Sequence, residues 1–316
     1  MRRKLNLANL LALLVTTFLL SSQPAPAQQS ETTAKPEDKS RQKSGFTTVN
    51  GVKLHYLEWG QAGDVLLLLT GLGSNAHVFD DFAPQFTDRF HVIAVDRRGY
   101  GESNKPATGY DTDTRVEDIR QFLDVLKIKK ISIVGHSAAG DEMTLFASLY
   151  PKRVNKLVYL EAAYYRGSIV ELLLSDPGVE PYDKRMMLEL QNSPEAAKVI
   201  VKDMPPENVW AINKAMFRAM VTFRPDYRKV KAPALAFYAT RERYPDVPPL
   251  TDEATRRKLD EWWIKTAVPY TRASIEQFRR EARRGQVVEM KDATHFIFRG
   301  TTADQVIRQT REFLLK

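Results

Sequence analysis

The reading of this chain turns on the stretch Val134-Gly135-His136-Ser137-Ala138-Ala139-Gly140. Before it, Lys130-Ile131-Ser132-Ile133 is a short β-branched run of the kind that forms a buried strand. After it, Asp141 to Tyr150 reads as a helix, stopped by Pro151. A serine at such a strand-to-helix corner has the pattern of a nucleophile elbow, in which a tight turn lifts the hydroxyl above the sheet edge. The strand and helix then crowd the positions two before and two after the serine, where Gly135 and Ala139 are small enough. The commoner pattern G-x-S-x-G carries glycine at its fifth position; here Ala139 stands there and Gly140 follows one later. The backbone N–H of Ala138, at the helix start, is placed to meet a developing oxyanion. A plain Gly-Ser turn into a helix is the competing reading of the same residues.

Outward from this corner, strands and helices alternate. Phe46 to Val49 and Val52 to Trp59 flank Asn50-Gly51, the strongest short-range hairpin signal. Val65 to Leu69 is an unbroken apolar run, as expected of a strand covered on both faces, and it ends in Thr70-Gly71-Leu72-Gly73-Ser74. A helical pattern follows over Ala76 to Phe86, then a strand at Phe90 to Val95. Thr114 to Leu126 is an amphipathic helix with Val116, Ile119, Phe122, Leu123 and Leu126 on its apolar face. Lys156 to Leu160 is the strand after the corner. This alternation predicts an α/β fold with a mostly parallel, doubly wound sheet.

From Tyr164 to about Val230 no strong strand signal appears, so a helical insertion is expected. Trp210, Phe217, Met220 and Val221 share one helix face, starting after Pro205-Pro206. That face suits ordinary core packing, a lid over the site, or both. The sheet resumes at Ala234 to Ala239, followed by helices from Thr251 to Arg284 broken at Pro269. Gln286 to Met290 is the last strand, and Thr302 to Leu315 the last helix.

The N-terminus reads differently. Arg2-Arg3-Lys4, the apolar stretch Leu5 to Leu20 and Ala25-Pro26-Ala27 have the three parts of an export signal, so residues 1–27 are expected to be cleaved. The apolar stretch is short for a membrane span, and a retained anchor is the alternative. Residues 28–45, rich in Gln, Ser, Thr, Lys and Pro, are expected to be a disordered linker, leaving 46–316 as the folded domain with its insertion at about 164–230. The chain has no cysteine, which excludes a lipoprotein anchor, disulfides, thiolate zinc sites and a cysteine nucleophile. Three basic residues of the formal +8 charge lie in the signal. Arg256-Arg257-Lys258 and Arg279-Arg280 fall among acidic residues and read as solvated faces, with no nucleic-acid motif beside them.

With these pieces the chain resembles the α/β-hydrolase family over residues 46–316. Thr70-Gly71-Leu72-Gly73 resembles the family's oxyanion loop, with Thr70 where His-Gly is frequent. Asp96-Arg97-Arg98-Gly99-Tyr100-Gly101-Glu102-Ser103 resembles its D-x-R-G-x-G-x-S stretch. The elbow and a final histidine loop complete the order. The resemblance implies Ser137 as nucleophile and Leu72 and Ala138 N–H groups as the oxyanion hole. It also implies His295 as base, since the family places its base after the last strand; His55, His77, His91 and His136 stand elsewhere. The orienting acid has three candidates. Glu161 follows the strand next to the elbow, as in many haloalkane dehalogenases, and is preferred; Asp246 and Glu242 follow the later strand, where most members carry the acid. Asp292 is too close in sequence to His295 for this role.

The expected activity is that of an exported (periplasmic or secreted) serine esterase acting on a small-molecule apolar ester. Amidase, aminopeptidase and carbon–carbon hydrolase are alternatives on the same triad, and a non-catalytic binding protein of the same fold is a further one. Dehalogenase and epoxide hydrolase are disfavoured, because those relatives carry aspartate at the nucleophile position. No metal cluster or dinucleotide fingerprint occurs, so no cofactor is implied. No nucleic acid and no stable membrane insertion after cleavage are expected.

Overall fold

A computed structural model of the chain describes residues 42–168, 172, 209–244, 253–291 and 293–316. The expected signal, Asp246, Asp292 and most of the expected helical insertion, including Pro205-Pro206, lie outside the described residues. The strands are β1 (Lys43–Val49), β2 (Val52–Trp59), β3 (Asp64–Leu69), β4 (Phe90–Val95), β5 (Ile131–His136), β6 (Val154–Leu160), β7 (Ala234–Thr240) and β8 (Gly285–Lys291). The α-helices are α1 (Thr112–Val125), α2 (Ala139–Leu149), α3 (Val209–Thr222), α4 (Glu253–Trp262), α5 (Val268–Glu281) and α6 (Ala303–Leu315).

One sheet runs in the order β1-β2-β4-β3-β5-β6-β7-β8. β1 pairs antiparallel with β2, and β2 with β4; every later pair is parallel. The hairpin turns at Asn50 and Gly51, both at positive φ (48° and 75°), as a tight two-residue hairpin turn requires. β3 shows why its run is unbroken. Leu67 and Leu69 pack with Phe122, Ile133 and Phe146 on one face, while Leu66 and Leu68 pack with Phe79, Phe82 and Phe313 on the other. With both faces covered, neither alternate set of side chains meets water.

β3 is followed by β4 on one side and, after the return, by β5 on the other. The carboxyl ends of β3 and β5 are therefore neighbours where the winding reverses. In open α/β sheets this is where ligand sites form.

The structure revises several boundaries. β1 begins at Lys43, inside the expected linker, because an edge strand needs main-chain pairing with β2 more than apolar side chains. The stretch Ala76 to Phe86 is two short 3₁₀ helices, Ala76–Phe79 and Ala83–Phe86, rather than one α-helix. Pro84, lacking an N–H, sits in the first turn of the second. Pro269 does not break the helical stretch it interrupts. It lies in the first turn of α5, and a five-residue π turn (Trp263–Ala267) joins α4 to α5 ahead of it.

Candidate active site

The corner after β5 is built as an elbow. Ser137 adopts φ 53°, a left-handed conformation that a non-glycine residue seldom takes. A Cβ on Gly135 would lie 2.9 Å from that of Ala139 and would overlap the Met143 sulfur, so the strand and helix do crowd this position. Gly140 answers a different contact. A Cβ there would overlap the carbonyl oxygen of Ala162, just past the end of β6. Glycine thus lets α2 lie directly on the next loop, which accounts for its place one residue after the usual one. Gly71, after β3, packs directly on His136 and Ser137, bringing the Thr70-Gly71-Leu72 loop against the elbow.

β6 repeats the geometry of β5. In the parallel register His136 stands opposite Leu160, so the next residues, Ser137 and Glu161, are equivalent positions on adjacent strands. Glu161 also adopts a left-handed conformation, with φ 52°. The Ser137 N–H donates to Leu160 O at 3.1 Å, and the Glu161 N–H donates to Phe237 O at 3.0 Å, continuing the ladder past both strand ends. Two strained non-glycine residues side by side at one sheet edge mark a site where function outweighs local comfort.

The Glu161 carboxylate is held on three sides. Its Oε1 accepts from Tyr164 O–H and from Ala239 N–H, both at 2.6 Å, and its Oε2 lies 3.1 Å from His295 Nδ1. Glu161 is buried while the His295 side chain is partly exposed. Burial, with Glu161 next to it, pushes the Tyr164 phenol well above its ordinary range, so it remains a donor. With Glu161 ionised, His295 Nδ1–H donates to it and Nε2 becomes the basic nitrogen. His295 also packs against the elbow's second residue: the rings of His136 and His295 lie 4.7 Å apart, tilted by 52°, and His136 Nε2–H donates to His295 O at 3.0 Å. Burial holds the His136 imidazole well below its usual range, so it stays neutral and serves as a post for the histidine loop.

Of the sequence candidates, Ser137, Leu72, Ala138, Glu161 and His295 therefore converge at the carboxyl ends of β3, β5, β6 and β8. Glu242 is exposed. His77 pairs with Asp80 on the surface, and His91 with Glu58. His55 has the partner types of a triad, Asp96 at Nδ1 and the Ser44 hydroxyl at Nε2, both at 2.9 Å. Ser44, however, lies within edge strand β1, with no helix N-terminus to receive an oxyanion, and Asp96 also accepts from the N–H groups of Ala76 and Glu102. That cluster closes the Asp96–Ser103 loop. Among the described residues no group of three or more His, Asp or Glu forms a metal-ligand set.

The sequence reading missed two kinds of residue. Tyr164, three positions past Glu161, fixes the carboxylate; a phenol at that spacing was the available signal. Arg97, Arg115, Asp141, Glu142 and Arg166 are all buried around the elbow helix. An adjacent Asp-Glu pair in the first turn of a helix behind a buried strand was the clue to these. The structure also widens the expected face of α3. Phe217, Met220 and Val221 are buried, but so are Ala211, Ile212, Ala215 and Met216 on other sides. Ile212 and Met216 join Tyr100 and Tyr110 in an apolar cluster against which Leu72 packs, and Tyr100 O–H donates to Asn213 at 2.9 Å. The side chain of Trp210 is outside the described residues.

A family model for the alpha/beta hydrolase fold matches residues 64–190. The chain is 35% identical over 129 residues to serine hydrolase BPHL of Homo sapiens, covering 39% of this chain and 44% of that protein. It is 33% identical over 117 residues to 2-(acetamidomethylene)succinate hydrolase of Mesorhizobium japonicum, covering 37% and 42%. It is 34% identical over 113 residues to a soluble epoxide hydrolase of a Corynebacterium species, covering 36% and 39%. These matches span less than half the length of the curated relatives. Among solved structures, E-2-(acetamidomethylene)succinate hydrolase superposes with a TM-score of 0.62 at 22% identity, over 87% of this chain and 100% of that one. A membrane phospholipase A superposes with a TM-score of 0.58 at 22% identity, over 87% and 86%. At that identity the structural likeness speaks for the fold. The sheet order agrees with both sets of matches: the chain has the α/β-hydrolase fold, and over residues 64–190 it is similar to that family's model.

Proposed function

We propose that this protein is a serine hydrolase that cleaves a carboxylic ester of a small or medium apolar acid through an acyl-enzyme on Ser137. The observation that carries the reading is the 3.1 Å pair of His295 Nδ1 and Glu161 beside a serine held at left-handed φ on the adjacent strand end. In this reading His295 Nε2 takes the Ser137 proton as Oγ bonds to the acyl carbon. The tetrahedral oxyanion is held by the N–H groups of Leu72 and Ala138. Collapse expels the alcohol, which receives the proton from His295, and water repeats the sequence to release the acid. The cluster of Tyr100, Tyr110, Ile212 and Met216 against Leu72 supports an apolar acyl group.

One of the relatives is named as an epoxide hydrolase, and chemistry argues against that activity here. A carboxylate that opens an epoxide forms an ester, which water can hydrolyse. A serine would form an ether, which has no acyl carbon for water to attack. An amide or an activated carbon–carbon bond would pass through the same acyl-enzyme, so the assay must separate them.

The test is a fluorophosphonate probe followed by p-nitrophenyl esters of two to twelve acyl carbons, each beside its anilide. We expect one phosphonyl group per chain, on Ser137, and ester turnover that peaks at short to medium acyl length. An unlabelled folded protein would sink the serine mechanism. Anilide turnover equal to ester turnover would move the reading to an amidase.

Export is proposed alongside. Its support is the order of basic residues, apolar stretch and Ala25-Pro26-Ala27 at the N-terminus. Edman sequencing of the protein made in its own host is expected to begin near Gln28. A mature chain that starts at Met1 would overturn cleavage and favour an anchor.

A further inference from the structure

The first turn of α2 carries two consecutive buried acids, Asp141 and Glu142, and each binds a buried arginine from a different loop. Arg166, from the short turn after β6, places Nη1 2.5 Å from Asp141 Oδ1. Arg97, from the loop after β4, places Nε 3.3 Å from Glu142 Oε1, and Arg115 Nε lies at the same distance from that oxygen. Arg97 and Arg166, unlike Arg115, also donate to main-chain carbonyls. Arg97 donates to Gly71 O at 3.2 Å and to Thr70 O at 2.5 Å. Arg166 donates to Ser137 O at 2.5 Å and to Ala162 O at 3.1 Å.

The choice of carbonyls is informative. Gly71 O belongs to the same peptide unit as the N–H of Leu72, and Ser137 O to the same unit as the N–H of Ala138. A trans peptide is planar, with its C=O and N–H pointing in opposite directions. Fixing the oxygen therefore fixes where the N–H points. Each of the two peptides offered as an oxyanion donor has a guanidinium on its carbonyl. We propose that Arg97 and Arg166 are positioning residues for the oxyanion hole, each clamping the carbonyl of the peptide whose N–H receives the oxyanion.

This inference rests on the reading of Ser137 as nucleophile. The clamp contributes in two ways. It removes reorientation of the donors at the moment of reaction, which is where oxyanion stabilisation gains most. It also polarises each amide, since a donor on C=O strengthens the N–H of the same unit. Stability alone is a weak reason for such groups, because buried ion pairs are often replaced by apolar isosteres without loss. The ion pairs to Asp141 and Glu142 then have a specific use: they tie both clamps to the helix that begins at the nucleophile.

The test uses two variants that leave no orphan charge. Arg97→Met leaves Glu142 paired with Arg115, and Arg166→Met with Asp141→Asn removes its pair together. A control, Arg98→Met with Asp118→Asn, removes a buried pair of like size that, among the described residues, makes no hydrogen bond to either oxyanion peptide. For p-nitrophenyl butyrate we expect both clamp variants to lose about 10- to 100-fold in kcat, short of the ~10²- to 10³-fold cost of deleting an oxyanion donor. KM should stay within about threefold, since the ground-state ester makes no use of the developing charge. The inhibition constant of an alkyl trifluoromethyl ketone, which adds to Ser137 as an oxyanion hemiketal, should rise in step with the loss of kcat. The control should keep both constants. If Arg97→Met does not fold, Arg97→Lys serves, because one ammonium cannot span two carbonyls and a carboxylate, and the same direction is expected.

Wild-type kcat and ketone affinity in the folded clamp variants, or equal losses in the control, would overturn the positioning role while Ser137 labelling stands. Wild-type protein that takes up no fluorophosphonate would overturn the nucleophile and this inference together.

Discussion

Replacing Ser137 by Ala should remove phosphonyl labelling and lower ester turnover by about 10⁶-fold, the loss seen when a serine or its base is deleted from a comparable triad. His295→Ala should cost about as much, and the double variant little more, because the two act as one unit. The reason is local. The Ser137 hydroxyl is a weak nucleophile without a base, and among the five histidines only His295 combines a carboxylate at Nδ1 with a place at the elbow. Stability should change little in Ser137→Ala, because removing Oγ leaves the backbone strain at φ 53° in place. His295→Ala takes the partner from Oε2 of the buried Glu161 and should cost about 1–3 kcal/mol while the protein stays folded. Circular dichroism and a thermal melt on each variant separate lost chemistry from lost fold. A folded Ser137→Ala variant with wild-type turnover would end the serine mechanism. A folded His295→Ala variant that acylates at the wild-type rate would assign the base elsewhere.

Glu161→Gln should lower turnover by about 10⁴-fold, as the analogous loss of the carboxylate does in the serine-protease template. The hydrogen bonds around Glu161 explain why the isosteric change is so costly. Ala239 N–H donates to Oε1, so the oxygen of the substituted amide must take that side, where Tyr164 O–H also donates. The amide NH₂ then faces His295 Nδ1, which in the native protein lies 3.1 Å from the other carboxylate oxygen. Nδ1 must become an acceptor, the ring proton moves to Nε2, and the nitrogen that should take the Ser137 proton already carries one. Tyr164→Phe removes one of the fixing bonds and leaves the charge, so a loss of about tenfold or less is expected, on the scale of one modest hydrogen bond. Glu242 is exposed, and Glu242→Gln should stay within about threefold of wild type, as a screened surface charge does. If Glu161→Gln keeps full turnover and Glu242→Gln is dead, the acid has been misassigned.

The parts of the fold that are legible in sequence are those written in short-range signals. Asn50-Gly51 specifies its turn by the backbone angles it tolerates. Leu66 to Leu69 announce a strand covered on both faces because no polar side chain interrupts them. Proline is more ambiguous. Pro84 falls inside the helical pattern expected over Ala76 to Phe86 and Pro269 reads as a break, yet the structure puts each in the first turn of a new helix, where its missing N–H costs nothing. The buried surface of α3 is hidden for a related reason. Periodicity finds the most apolar face of a helix, but Ala211 and Ala215 are buried because small residues allow Tyr100 and Tyr110 to approach, which hydrophobicity alone does not register.

The sequence by itself determined that a serine sits at a tight strand-to-helix corner, that a histidine follows the last strand, and that glycine-rich loops follow two of the earlier strands. These depend on neighbours along the chain. Only the tertiary structure decided which carboxylate meets His295. β6 lies next to β5 in a register that sets Glu161 beside Ser137, and strand order and register are properties of the whole sheet. It likewise decided that Arg97 and Arg166, two of many arginines in a basic chain, are buried against the carbonyls of Gly71 and Ser137. A charged side chain reads as solvent-facing in sequence because burial is costly without a partner. The partners, Asp141 and Glu142, reach those arginines only after α2 has packed onto the sheet.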